Sequence, residues 1–539
     1  MKKFLTILTC LAVVPFFAAS CSEEESGSQA NTENDIYSAS SLLERIKANK
    51  DISLKTDIDL NDFEWPTNLT YSATFEGNSH KISNLKLKTN SQNSNVGFIS
   101  NNTGTIKNLV FEDADVEIRT EGNNCGVLCG VNNGRIEGIT ATGKIAAQVY
   151  SSVGGIIGFV NEKGFASQLT NYVNVHGLHK VGGAVGAWHT YYKDAITISD
   201  LTNYGSIKGT DDVGGTVGFF WNTSGVDWNV PTMSNCKNSG EINGNNYVGG
   251  ILGYNSNNRS DYGTSYGSIR FIYCENEGNV TGSGNNVAGI VGEAAPEHLT
   301  NCKNSGDITG SGHVAGIMGW RTHYGYFECD YFLANNCINE GTITATGEGG
   351  YNGGLFGRGC GRIFDSSNYG MVKSLMHSAF NGGIAGTFEI GAAPHESSYV
   401  NKINNDSKVY NLVNKGDVIG GNSTGGIFGD VGGRPDWYSV SNLKNEGNVF
   451  GWNKVGGIIG GITTGYQPKG PGSPDYTYGM KINLLYSDNY GKIDGKDYVY
   501  GIIGDYQGGR LNTSDEHKNT LLNTGEITAE GEHYGELYK

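Results

Sequence analysis

The sequence predicts an all-β chain folded as a parallel β-helix, a solenoid of roughly 12–14 rungs with a short N-terminal capping helix and loop insertions along one edge. Three observations carry this. One phrase keeps returning: "NSGEINGNNYVGGILG" at Asn238–Gly253 comes back as "NSGDITGSGHVAGIMG" at Asn304–Gly319 and as "NEGNVFGWNKVGGIIG" at Asn445–Gly460. Glycine supplies 83 of 539 residues and proline only 9, without a collagen-like period. Short β-branched stretches are broken by Gly every few residues, and each Gly would cost a helix interior about 1 kcal/mol.

The first residues read as targeting signal. "MKK" is a basic start and "FLTILTCLAVVPFF" an apolar run too short to span a bilayer as a mature helix. "AASC" then leads small residues into Cys21, which resembles the lipobox of bacterial lipoproteins. Residues 1–20 are therefore expected to be a lipoprotein signal peptide and Cys21 the lipidated residue. The "SEEES" that follows is similar to the surface-export signal of Bacteroidetes-type lipoproteins. Residues 21–34 read as the lipidated Cys and a flexible acidic tether with no apolar anchor. The expected location is the outer membrane, lipid-anchored and exposed on the cell surface.

Residues 35–118 read as an N-terminal cap and the first rungs. "SASSLLERIKAN" has a Ser cap and apolar spacing for one short helix, placed to shield an open sheet edge. "ISLKTDIDL", "FEGNSHKISNLKL" and "GTIKNLVFEDADVEI" read as strands of the first rungs.

Residues 119–539 carry the solenoid repeats. Copies of N-x-G-x-[IV]-x-[GAS], spacer, V-[GA]-G-I-x-G start at Asn203, Asn238, Asn276, Asn304, Asn339, Asn368, Asn414, Asn445, Asn489 and Asn523. Stacking at about 4.8 Å would align each slot with itself. The Asn side chains are expected to bond to neighbouring copies or to turn backbone. Ile207, Ile242, Val280 and Ile308 are expected to form an inward ladder. The slot two before the Asn holds Leu201, Cys236, Cys274, Cys302, Cys337 and Ser366. Cysteine alternating there with Leu and Ser behaves as a small core filler, so free, buried thiols are expected rather than disulfides or a metal site. The pairing of Cys125 with Cys129 stays open. In V-G-G-I-x-G two adjacent slots are apolar, as in Ile251 and Leu252. Period two sends them to opposite faces, so one row is expected outward under a covering insertion.

The phrases "VGGILG", "NxGxIxG" and "GTIKNL", with the lead-in "DIDL…FEGNSHKISNL", resemble the GLUG-motif repeats of bacterial surface proteins over about residues 40–539. That resemblance implies a parallel β-helix on the cell surface, of adhesin-like type. It implies no activity, because the shared residues are structural. Zinc peptidases found beside such repeats need H-E-x-x-H, and His395-Glu396 here is followed by Ser-Ser-Tyr.

A net charge of −16 and a pI near 5.2 argue against nucleic acid as a partner. No cofactor and no metal site are expected. Function is expected in the insertions after V-G-G-I-x-G, which are rich in aromatics: Trp188, Tyr191, Trp221, Trp228, Tyr262, Trp320, Tyr324 and Trp437. Exposed rings suit an extended glycan or a host or neighbour-cell surface protein; the other reading is packing, in which the rings fold down over the outward apolar row and only order their own loops. The alternatives are a polysaccharide lyase or glycoside hydrolase on the same fold, for which no carboxylate pair stands out, and a passive surface spacer.

Overall fold

The computed structural model describes residues 33–89, 95–119, 124–147, 152–190, 196–222, 230–256, 269–321, 332–377, 379–390, 409–433, 437–462, 481–506, 510–511, 518, 520–531 and 533–535. They form a parallel β-solenoid of about 12 turns.

One helix, α1 (Ala39–Lys47), stands at the start. Ser38 is extended, and its Oγ accepts from the Ser41 N–H. Leu42 and Ile46 are its buried residues, and they pack beside the strands Ile52–Leu54 and Thr70–Tyr71.

Each later rung runs through three parallel sheets, here numbered I to III. In the rung that starts at Asn238, Lys237–Asn238 and Ile242–Gly244 lie in sheet I, Asn246–Gly249 in sheet III and Leu252–Ser256 in sheet II. The next rung repeats this in register, with Asn238 opposite Asn276, Ile242 opposite Val280, Val248 opposite Val287 and Leu252 opposite Val291. Ile207, Ile242, Val280 and Ile308 form a fully buried row.

The repeated asparagines form a continuous buried amide ladder. Nδ2 of Asn203 donates to Oδ1 of Asn238 at 2.7 Å, Asn238 to Asn276 at 2.8 Å, Asn276 to Asn304 at 2.7 Å and Asn304 to Asn339 at 2.7 Å. The chain of bonds continues through Asn368, Asn414, Asn445 and Asn489 to Asn523. Each amide also donates to the carbonyl two residues on, as Asn238 does to Gly240 at 2.9 Å. A buried amide left unpaired would cost about 1–3 kcal/mol, and here both protons are used.

Cys236, Cys274, Cys302 and Cys337 stack as buried, free thiols in one core row. Their Sγ atoms lie against backbone carbonyls, Cys302 at 3.6 Å from both Phe271 and Thr300. Cys125 and Cys129 are also buried and free, and burial pushes the Cys129 thiol up to about 12.

The expectation of an outward apolar row is overturned. Ile251 and Leu252 are both fully buried in the same core. The chain bends at Gly250–Ile251 between sheets III and II, so the alternation of faces is broken there and both side chains enter the interior.

The glycines of V-G-G-I-x-G have separate reasons, all of close approach. A Cβ on Gly249 would lie 2.0 Å from the Leu252 carbonyl oxygen, one on Gly250 2.1 Å from that of Gly289, and one on Gly253 2.5 Å from the Val213 nitrogen. Any side chain at these positions would collide with backbone, which does not yield as a flexible side chain does.

Candidate functional site: the outer seam between two sheets

Outside the bend, two columns of side chains converge. The sheet II column runs Phe159, Ala187, Phe219, Tyr254, Glu293, Trp320 and Arg358 in register. The sheet III column holds Lys180, Asp212, Tyr247, Asn286 and His313, each just before the Val of V-[GA]-G and each in the left-handed region (φ 51 to 61). Left-handed backbone is uncommon for Lys, Tyr or His. Its recurrence at one slot marks it as corner geometry, which turns these side chains toward the seam. Residues seven apart in one rung then touch: the Tyr247 and Tyr254 rings are 4.7 Å apart, Asn286 Nδ2 donates to Glu293 Oε2, and the His313 and Trp320 rings are 4.4 Å apart.

The aromatic groups are densest at the N-terminal end of the seam. Trp221 stacks on His189 at 4.5 Å and on Phe159 at 5.5 Å, and it meets Phe219 at 5.1 Å. The Lys180 ammonium stands 4.6 Å from the Phe219 ring centre and 5.6 Å from that of Trp221. Trp320 carries the Arg358 guanidinium over its ring at 4.6 Å. The rings therefore stack along the solenoid axis, and faces that would meet a ligand are partly used by neighbours.

Charge perturbation gathers at the same place. Burial pushes the Asp212 carboxyl up to about 7; Asp211 and Glu293 raise it further and Lys180 opposes them. Tyr247 is raised by burial and then by Glu293, Asp212 and Asp211. Burial pushes His313 down to about 4, helped by Arg358. Two adjacent polar atoms of the seam, Asn286 Oδ1 and His313 Nδ1, are buried without a hydrogen-bond partner among the described residues.

The candidates named from sequence separate here. Trp221 and Trp320 lie in strands, Val217–Asn222 and Met318–Arg321, half-buried on the outer face. Trp188 is a correction. It lies in the strand Val185–Thr190, pairs in register with Phe220 and is fully buried, so it is a core residue and no part of a binding strip. Strand alternation puts it on the inner face, one residue past the outward Ala187. Trp437 lies in the strand Trp437–Asn445. Tyr191, Trp228, Tyr262 and Tyr324 lie outside the described residues, as do the insertions 191–195, 223–229, 257–268 and 322–331. Sequence reading passed over Lys180, Asp212, Tyr247, Asn286 and His313. The signal was present, because these residues immediately precede the repeated V-[GA]-G, but the slot varies in chemistry and looks like spacer. Among the described residues, no three His, Cys, Asp or Glu side chains gather as a metal site.

No family model matches the chain. Over 96 residues it is 36% identical to halomucin of Haloquadratum walsbyi, a match that covers 17% of this chain and 1% of halomucin's length. A crystal structure of a candidate immunoglobulin A1 protease from Bacteroides ovatus aligns with 45% of this chain and 74% of its own, at 18% identity and a TM-score of 0.36. Likeness at that level carries no argument about activity.

Proposed function

We propose that this protein is a lipid-anchored cell-surface solenoid that binds an extended glycan along the seam between sheets II and III. The observation that carries the reading is the pair of buried, unpartnered polar atoms, Asn286 Oδ1 and His313 Nδ1, flanked by Tyr247 and Trp320. Buried polar groups are as a rule paired, and perturbed carboxyls and imidazoles gather at functional sites. From Phe159 to Arg358 the strip spans six rung steps, about 29 Å at 4.8 Å each, which suits a chain ligand better than a small metabolite. Recognition runs through ring edges, hydroxyls and amides, since stacking occupies ring faces. Anchoring through Cys21 fits the signal-like start, and the disulfide bond at Cys360 fits an oxidising compartment.

The test is a glycan-array screen of the protein, followed by titration of any ligand against Trp221→Ala, Trp320→Ala and His313→Asn, with melting measured on each. Asn tolerates the left-handed backbone at 313. Central anchors typically carry about 2 kcal/mol or more, so each change is expected to weaken binding roughly thirtyfold. Unchanged affinity with an intact fold would remove the seam as the site.

One observation favours catalysis as a second reading. Asp212 and Glu293 stand two rungs apart with Tyr247 between them, about 9.6 Å along the axis. That is close to the spacing of inverting glycosidases, about 6.5–9.5 Å. New reducing ends from a bound glycan, lost in Asp212→Asn, would favour it.

A further inference from the structure

In the C-terminal half the same seam holds different chemistry. Asp430, Gly461 and Asp505 occupy successive rungs of the sheet II column. Lys454 belongs to the Gly461 rung, seven residues earlier, in the sheet III column with φ 49. Because Gly461 has no side chain, the Lys454 stem reaches across the seam toward its slot. A Cβ built on Gly461 would lie 3.7 Å from Lys454 Cδ and 3.0 Å from Asp430 Oδ1. The ammonium ends 2.9 Å from Asp505 Oδ2. Asp430 is 6% exposed and Asp505 8%. The amine thus pairs with the buried Asp505 in the following rung, while the buried Asp430 lies in the preceding rung beside the Gly461 slot that the Lys454 stem crosses, on strands whose register holds them in place.

We propose that Lys454 and Asp505 join as an intramolecular isopeptide bond, a covalent staple between adjacent rungs, with Asp430 as proton relay. The ammonium passes one proton to the Asp505 carboxylate. The amine nitrogen of Lys454 then attacks Cγ of Asp505 and forms the C–N bond. Asp430 takes a proton from that nitrogen and delivers it to the departing hydroxyl, the C–O bond breaks, and water leaves. Ammonium and carboxylate become amide and water, charge is conserved and Asp430 returns to its starting state. No oxidant or cofactor enters. Amide formation from the two ions in water is unfavourable for separate molecules. Groups held in contact by rigid backbone reach effective molarities of about 10⁵–10⁸ M, which reverses that balance. The place also has mechanical sense. Leu521 and Ile527 are only partly buried, whereas Ser487 and Ile493, in register with them one rung earlier, are buried. Solenoids are held rung to rung, so a link here ties together the rungs that support this less buried turn.

The experiment is a tryptic digest of the purified full chain, read by mass spectrometry. The expected product joins residues 445–469, uncut at Lys454, to residues 497–510, lighter than their sum by one water. Lys454→Arg keeps the ion pair and is expected to abolish the product. Asp505→Asn is expected to give the same link with loss of ammonia in place of water. Asp430→Asn is expected to leave the fold intact and slow linkage at least tenfold. Recovery of unlinked 445–454 and 497–510 as the main products from folded protein would overturn the proposal. A link from Lys454 to Asp430 would overturn the choice of Asp505, and undiminished linkage in Asp430→Asn would overturn the relay.

Discussion

A Cβ placed on Gly250 would lie 2.4 Å from Cγ of Asn276, so the second glycine of one repeat touches the asparagine of the next. The same contact recurs at Gly183 with Asn203, Gly215 with Asn238 and Gly426 with Asn445, at 2.5, 2.6 and 2.3 Å. The two rigid parts of the repeated phrase are therefore the two sides of one contact. Gly250→Ala should force the ladder apart and cost about 3 kcal/mol or more, the scale of an overpacked core. A melting temperature within error of the parent chain would refute the contact.

Asn276→Ala should remove the acceptor of Asn238 and the donor to Asn304 at once. Leaving buried amide groups unpaired should destabilise by about 2–4 kcal/mol. Hydrogen exchange should show protection lost first in the rungs of Asn238 and Asn304, because each rung is supported by its neighbours. Uniform loss along the solenoid would contradict a local ladder.

Cys302 is buried in the thiol row. Cys302→Ala should cost about 1–2 kcal/mol, whereas Cys302→Asp should cost several kcal/mol by placing a carboxylate in the core. Thermal melts of the two variants give the comparison. Equal tolerance of Ala and Asp would mean that the slot does not point inward.

Asp212 makes stability fall with rising pH. Its folded-state pKa, about 7, lies above the ordinary carboxyl value because burial disfavours the ion. The folded chain therefore holds a proton that the unfolded chain has lost, and the contribution drains away as pH rises from about 4 through 7. Asp212→Asn should remove that fall across the window and leave the opposite slope from His313, whose depressed pKa adds stability as pH rises. Identical pH dependence in the parent and the variant would contradict the burial of Asp212.

Cys21→Ala should release the protein from the membrane fraction and abolish palmitate labelling. Retention with label intact would remove Cys21 as the anchor.

The repeat of Asn, Ile and Gly at fixed spacing was enough to read the solenoid, the amide ladder and the inward thiol row. These follow from one rule: stacked rungs place like slots together, and a buried slot accepts few residue types. The helix Ala39–Lys47 was legible from its Ser cap and apolar spacing. The bend was not. Period two predicted an outward row at Ile251 or Leu252, and the turn at Gly250–Ile251 sends both inward.

The candidate site was legible only in part. Aromatic density after V-[GA]-G-I-x-G pointed to Trp221 and Trp320, but it also pointed to Trp188, which alternation places in the core. Residues on either side of the bend, such as His313 with Trp320 or Lys454 with Gly461, carry no shared chemistry that a sequence period would reveal. The amino-acid sequence alone determined that the chain stacks, and that the repeated Asn, Ile and Cys slots face in. Only the tertiary structure decided which variable residues meet, because the bend brings positions seven apart into contact while register brings positions a whole rung apart beside them.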